Sequence, residues 1–201
     1  MQMNICVFGD SIVWGAEDHL NGGWVNILHQ DLSGEDHTVY NCGICGDTTV
    51  DLLNRFGPEA RARYAHAVIF AIGIDDLVYC NNENNVAVSL DRFRSNLDLL
   101  VTMANQIKTD VAFLTILSVD ESKTMPYDDI QQLYFSNKNV AAYNQVIVDI
   151  CGKFDIPCLN MAHVLKKEDL FDGLHPDDEG HRKIAQFVLN EMSDYLEEDD
   201  G

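Results

Sequence analysis

Apolar positions along the chain fall into two kinds of run that alternate. Three are short and nearly continuous: Asn4-Ile5-Cys6-Val7-Phe8, Ala67-Val68-Ile69-Phe70-Ala71-Ile72 and Val111-Ala112-Phe113-Leu114-Thr115-Ile116-Leu117. Such runs predict strands with both faces covered, as in a parallel sheet flanked by helices. Thr38–Asn41 and Ile156–Leu159 are weaker strand candidates. Between them lie stripes at helical spacing: Trp24, Ile27, Leu28 and Leu32; Leu90, Phe93, Leu97, Leu100, Val101 and Ala104; Val140, Tyr143, Ile147, Ile150 and Phe154. Another helix is expected over Thr49–Arg63. A last one is expected to begin at Pro176, with Asp177, Asp178 and Glu179 suited to the positive end of its dipole.

Strands separated by helices predict an α/β protein: a three-layer α/β/α sandwich around one five-stranded parallel sheet. Right-handed crossovers leave few topologies, and the flavodoxin-like strand order 2-1-3-4-5 is the one expected. The 201 residues, 46% of them hydrophobic, fit one domain over residues 1–196 followed by an acidic tail at 197–201. Two polar loops, Tyr79–Ala87 and Asp120–Lys138, are long for a compact domain, and loops of that kind are usually functional or mobile.

Thirteen Lys and Arg against 33 Asp and Glu leave a formal charge of −20. So negative a surface repels phosphate backbones and anionic headgroups, which argues against nucleic-acid and polybasic-membrane functions. No apolar run approaches the roughly 18 residues of a membrane span. Met1-Gln2-Met3-Asn4 has neither basic residues nor a long apolar segment after it, so a cytoplasmic location is expected. The six cysteines, at 6, 42, 45, 80, 151 and 158, are then expected as thiols rather than disulfides. The oligomeric state is left open.

Sites in open parallel sheets form at the carboxyl ends of the strands. Gly9-Asp10-Ser11 follows the first strand, Gly43-Ile44-Cys45-Gly46-Asp47-Thr48 the second and Gly73-Ile74-Asp75-Asp76 the third; Asp172-Gly173-Leu174-His175-Pro176 lies beyond the fifth. One edge thus gathers a serine, small residues with free backbone N–H groups, carboxylates and an Asp/His pair. That is the inventory for acyl transfer: a nucleophile, a base with its orienting carboxylate, and oxyanion donors. Each piece alone has a plainer reading, as a turn serine, a tight-backbone glycine or a residue leading into a helix. Their combination is what carries weight.

These blocks resemble the SGNH/GDSL hydrolase family. Phe8-Gly9-Asp10-Ser11-Ile12-Val13-Trp14-Gly15 is close to its Gly-Asp-Ser-x-x-x-Gly, Gly46 stands as its second-block glycine, and Asp172-Gly173-Leu174-His175-Pro176 matches Asp-x-x-His-Pro in full. The resemblance implies a serine esterase or acylhydrolase acting on small carboxylic esters or thioesters, of carboxylesterase, lysophospholipase, thioesterase or deacetylase type. It implies no metal and no organic cofactor. Ser11 would attack the carbonyl, His175 would take its proton and Asp172 would orient the imidazole. The backbone N–H groups of Ser11 and Gly46 would donate to the oxyanion, and Asp10 would support the turn.

The third block departs from the family's Gly-x-Asn-Asp, in which the Asn amide is an oxyanion donor. Asp75 stands in that place, and an ionised carboxylate has no proton to donate. Three readings are open: a protonated Asp75 that donates, a hole built of backbone donors alone, or a catalytically weakened protein that binds ligands on the same fold. Cys42 and Cys45 form a Cys-x-x-Cys, which reads as two small turn residues before it reads as a redox pair. His181 is expected to be structural, and Trp14, Tyr127, Tyr134 and Phe135 lie in or near the expected site loops without an assigned role.

Overall fold

The computed structural model describes residues 2–33 and 37–197, with side chains through residue 192. In chain order its elements are β1 (Asn4–Gly9), α1 (Ser11–Trp14), α2 (Trp24–Leu32), β2 (Thr38–Gly43), α3 (Thr49–Ala62), β3 (Ala67–Ala71), α4 (Ile74–Leu77) and β4 (Tyr79–Cys80). There follow α5 (Leu90–Ile107), β5 (Asp110–Leu114), α6 (Glu121–Thr124), β6 (Leu133–Tyr134), α7 (Asn137–Phe154), β7 (Cys158–Leu159) and α8 (Asp178–Glu197). The main sheet is parallel, in the order β2-β1-β3-β5-β7. Numbering only its own five strands, that is the expected 2-1-3-4-5.

Alternation along the strands builds two cores. Cys6, Phe8, Val68, Phe70, Val111 and Phe113 point to the side covered by α3, α5 and α7, where they meet Leu52, Phe56, Leu97, Leu100, Tyr143 and Ile147. Ile5, Val7, Ile69 and Leu114 point to the other side and meet Trp24 and Leu28 of α2 and Ile184 and Val188 of α8. Phe8, Phe56, Phe70 and Phe113 pack in a chain at centroid spacings of 5.1–5.2 Å, the first two contacts edge-to-face and the third tilted. Burying each such ring contributes about 1.5–3 kcal/mol. This packed platform holds the strand ends still.

Several boundaries differ from the sequence-based expectation. The fourth main strand stops at Leu114: Thr115 N makes a last bond to Leu159 O (3.0 Å), and from Ile116 side chains of α7 replace the ladder. Asn144 accepts from Ile116 N (2.7 Å) and donates to Ile116 O (2.9 Å), and Asn137 accepts from Val119 N (2.9 Å). The last helix starts at Asp178 rather than Pro176: Pro176 bridges Leu170, and Asp177 caps the helix by accepting from Gly180 N at 2.8 Å. The two long polar loops are joined by a small antiparallel pair, β4 with β6. Cys42 lies in β2, not in a turn, since pairing with β1 continues to Gly43. α8 runs through Glu197, and residues 198–201 of the expected acidic tail lie outside the described residues. No helix among the described residues is long and apolar enough to cross a membrane.

Candidate active site

Ser11 opens α1 immediately after β1, so its backbone N–H has no intrahelical acceptor. Asp10 caps this turn, accepting from Ile12 N at 2.9 Å, which is the supporting part expected of it. Burial pushes the Asp10 carboxyl well above the usual range, and the charge of Asp75 adds to the shift. Gly9 has no room for a side chain: a Cβ there would sit 2.1 Å from Ala71 O. The serine itself is 9% exposed.

The loop after β2 packs against α1, and a Cβ on Gly43 would fall 2.2 Å from Trp14 N. Gly46, exposed at its tip, has φ +80°, a conformation that favours glycine. A residue not singled out from sequence anchors this loop. Arg55 of α3 pairs with Asp47 (Nε to Oδ2, 2.6 Å), reaches Gly9 O through Nη2 (3.2 Å) and lies over the Phe8 ring at 5.7 Å. One guanidinium therefore ties the Gly46 loop to the end of β1.

Asp75 and Asp76 both fall on α4, but their surroundings differ. Asp76 is fully buried and accepts from Thr49 N (2.9 Å) and from the Thr49 hydroxyl, which in turn accepts from Asn96 Nδ2 at 2.8 Å. Burial raises its carboxyl to about 7 against the opposing pull of those Thr49 bonds. Asp75 Oδ2 is buried with no hydrogen-bond partner among the described residues. Its carboxyl is pushed up to about 6 by burial, with His175 opposing and Asp47 and Asp51 adding.

The Asp172–His175 segment is a tight loop closed by Phe171 N to His175 O (2.9 Å). Gly173 makes it possible at φ +91°, where a Cβ would lie 2.7 Å from Lys123 Cβ. Asp172 Oδ1 accepts from Leu174 N (2.9 Å) and His175 N (2.8 Å), an Asx turn that holds both side chains on one side. Asp172 Oδ2 meets His175 Nδ1 at 2.8 Å and accepts from the Tyr127 hydroxyl at 2.7 Å. Burial works against the charge of Asp172, but the bonds from His175, Tyr127 and Leu174 outweigh it and hold the carboxyl well below its usual range. An ionised Asp172 requires Nδ1 to carry the imidazole proton. Nε2 is then free to accept from Ser11 Oγ, 2.9 Å away.

The structure thus brings Ser11, His175 and Asp172 into one hydrogen-bonded line, although 164 residues separate the serine from the histidine. His181 is fully buried on α8 and bridges Trp24 N (3.2 Å) and Ala16 O (2.9 Å); burial lowers its pKa and keeps it neutral. Cys42 neighbours Cys6 rather than Cys45, which is exposed, and all six cysteines are free thiols. Among the described residues no group of three His, Cys, Asp or Glu side chains is arranged to hold a metal. Tyr134 stacks on Tyr79 at 5.1 Å, and Phe135 is buried under Tyr127. Trp14 and Phe171 are 57% and 58% exposed, one on the turn bearing Ser11 and the other beside Asp172.

A serine at the end of the first strand, bonded to an imidazole that meets a carboxylate, on a 2-1-3-4-5 parallel sheet, defines an α/β protein equipped for nucleophilic chemistry. The model of the GDSL-like lipase/acylhydrolase family matches residues 7–183, and the chain belongs to that family. It is 26% identical over 196 residues to an arylesterase of Vibrio mimicus, covering 96% of this chain and 89% of the relative. Its fold is similar to that of a lipase/acylhydrolase from Enterococcus faecalis (TM-score 0.77, 22% identity, 96% of each chain). An acetylxylan esterase from Geobacillus stearothermophilus is also similar (TM-score 0.74, 20% identity, 95% of this chain and 94% of that one).

Proposed function

We propose that the chain is a serine esterase that cleaves small carboxylic esters or thioesters through an acyl-enzyme on Ser11. The observation that carries this reading is the continuous line Ser11 Oγ–His175 Nε2 (2.9 Å) and His175 Nδ1–Asp172 Oδ2 (2.8 Å). Ser11 Oγ attacks the acyl carbonyl while Nε2 takes its proton, and the imidazolium returns that proton to the departing alcohol or thiol. Water then attacks the acyl-enzyme with His175 again as base, regenerating Ser11 and releasing the acid. The N–H groups of Ser11 and Gly46 supply oxyanion donors, joined by Asp75 when it carries a proton. No step calls on a metal or an organic cofactor.

Exposed apolar side chains stand on the segments that carry the site residues: Trp14 on the helix of Ser11, Ile44 on the Gly46 loop and Phe171 next to Asp172. They suit an uncharged ester with a compact apolar or aryl group, in keeping with the arylesterase and acetylxylan esterase among the relatives. The six cysteines stand as free thiols, which supports a cytoplasmic setting. A fluorophosphonate probe tests the nucleophile. It should label one site, mapped to Ser11 by peptide mass, and labelling should vanish in Ser11→Ala. Labelling elsewhere, or none, would refute the assignment.

A further inference from the structure

Asp172 Oδ2 serves two donors at once, and only one of them is the imidazole. The other, the hydroxyl of Tyr127, comes from the long connection between β5 and α7, 45 residues away in sequence. That connection is braced rather than loose. β6 pairs with β4, Tyr134 stacks on Tyr79 with planes 9° apart, and Tyr127 N donates to Leu133 O at 2.8 Å. The Tyr127 ring packs edge-on against buried Phe135, with centroids 5.3 Å apart, and meets the His175 ring at 6.5 Å with the planes 63° apart. Its hydroxyl is thus delivered to one carboxylate oxygen by a fixed scaffold.

Resting on the acyl-transfer reading above, we propose that Tyr127 is a positioning residue for that reaction. Its hydroxyl holds Asp172 in place and, by drawing on the same oxygen, limits how strongly the carboxylate grips the imidazolium. A hydrogen bond to a charged oxygen is short and strong, and two donors on one oxygen divide its charge between them. Burial and the neighbouring Asp172 both raise the phenol's pKa, so it remains a donor across the pH range in which a histidine works. The other titratable groups around the pair are Asp75 on α4, Glu17 after α1, His181 on α8 and Lys123, which caps Phe171 O at 3.2 Å. Tyr127→Phe changes none of them. With the hydroxyl gone, Asp172 gives its full charge to the imidazole, which then keeps its proton to higher pH.

The test is to follow the imidazole titration of His175 by NMR in wild type and Tyr127→Phe, with His175→Gln to assign the signal. The midpoint should rise by about half a pH unit or more in Tyr127→Phe. The acidic limb of kcat/KM for p-nitrophenyl acetate should rise with it, with KM within about twofold of wild type. Tyr127→Leu, which removes the ring as well, should move the midpoint at least as far. A midpoint unmoved in Tyr127→Phe would overturn the proposal and leave the tyrosine a packing residue, whatever happens to Tm. If wild type shows no Ser11-dependent turnover, the esterase reading fails by itself, while the titration still decides whether Tyr127 governs the Asp172–His175 pair.

Discussion

A carboxyl group beside a developing oxyanion helps only while it holds a proton. Asp75 is lifted to about 6 by burial and has a buried oxygen that no described residue satisfies, so its proton leaves across the mildly acidic range. In the proposed oxyanion hole it would donate below that range and repel above it. Asp75→Asn, which donates at every pH, should therefore raise kcat at pH 8 by about tenfold or more, since one oxyanion donor is worth about 2.7–4 kcal/mol. At pH 5 the two proteins should differ little. A variant no faster at pH 8 would count against a repelling carboxylate in the hole. Stability has its own sign. The folded carboxyl holds its proton more tightly than the unfolded one, so the folded state loses stability as pH rises from about 4 through about 6 and stays lower above. Asp75→Asn should remove that loss, gaining about 1–3 kcal/mol at pH 8 in urea denaturation and little at pH 4. Ser11, Asp172 and His175 were legible in the sequence because each stands in a short local block at a strand end, and the Asp-x-x-His spacing closes an Asx turn by itself. Tyr127 and Arg55 were not, because their partners are distant in sequence and a loop tyrosine or a helix arginine carries no local signature of the contact it will make.

The Gly46 loop depends on α3 for its position. Arg55 and Asp47 are each only 15% and 12% exposed at the side chain, and burial keeps the Asp47 carboxyl raised even with the guanidinium against it. The pair therefore contributes placement more than net stability, but removing one member strands the other. Arg55→Ala should cost about 2–4 kcal/mol in urea denaturation for that reason. Freed from Gly9 O, the loop should also lower kcat/KM by about tenfold, read with p-nitrophenyl acetate. Loss of stability with kcat/KM intact would show that Gly46 needs no anchor. Element types were readable wherever an apolar run had one dominant period, as in β1, β3, α5 and α7. The ends were not. Buried Ile116 and Leu117 extend the apolar run of β5 although Asn144 has already taken over its backbone bonds, and α8 begins at Asp178, behind the Asp177 cap, rather than at Pro176. The β4–β6 pair was hidden because two residues a side make no recognisable alternation.

At the scale of the whole molecule, the alternation of strands with helices and the handedness of crossovers narrow the strand order to a few, among them the 2-1-3-4-5 observed, and the charge has the broadest consequences. With 33 acidic against 13 basic residues the folded chain repels itself. Exposed ion pairs among the described residues, such as Arg94–Asp149, Lys138–Glu83 and Lys153–Asp98, are weak because water surrounds both partners, so little is lost when salt screens them. Raising NaCl from about 0.01 M to about 0.5 M, which shortens the screening length well below 10 Å, should therefore increase Tm. The same change should raise kcat/KM for an ester bearing a carboxylate and leave that for p-nitrophenyl acetate nearly level. A falling Tm would mean that attractive pairs outweigh the repulsion.

Ser11 is the proposed nucleophile on which ester cleavage here turns. The most direct test is the rate of p-nitrophenyl acetate hydrolysis across pH 5 to 9, in wild type and in Ser11→Ala. Turnover that falls by about a thousandfold or more in the variant at every pH is the predicted result. A variant that hydrolyses the ester within about twofold of wild type would contradict it, whatever the geometry of the serine, imidazole and carboxylate.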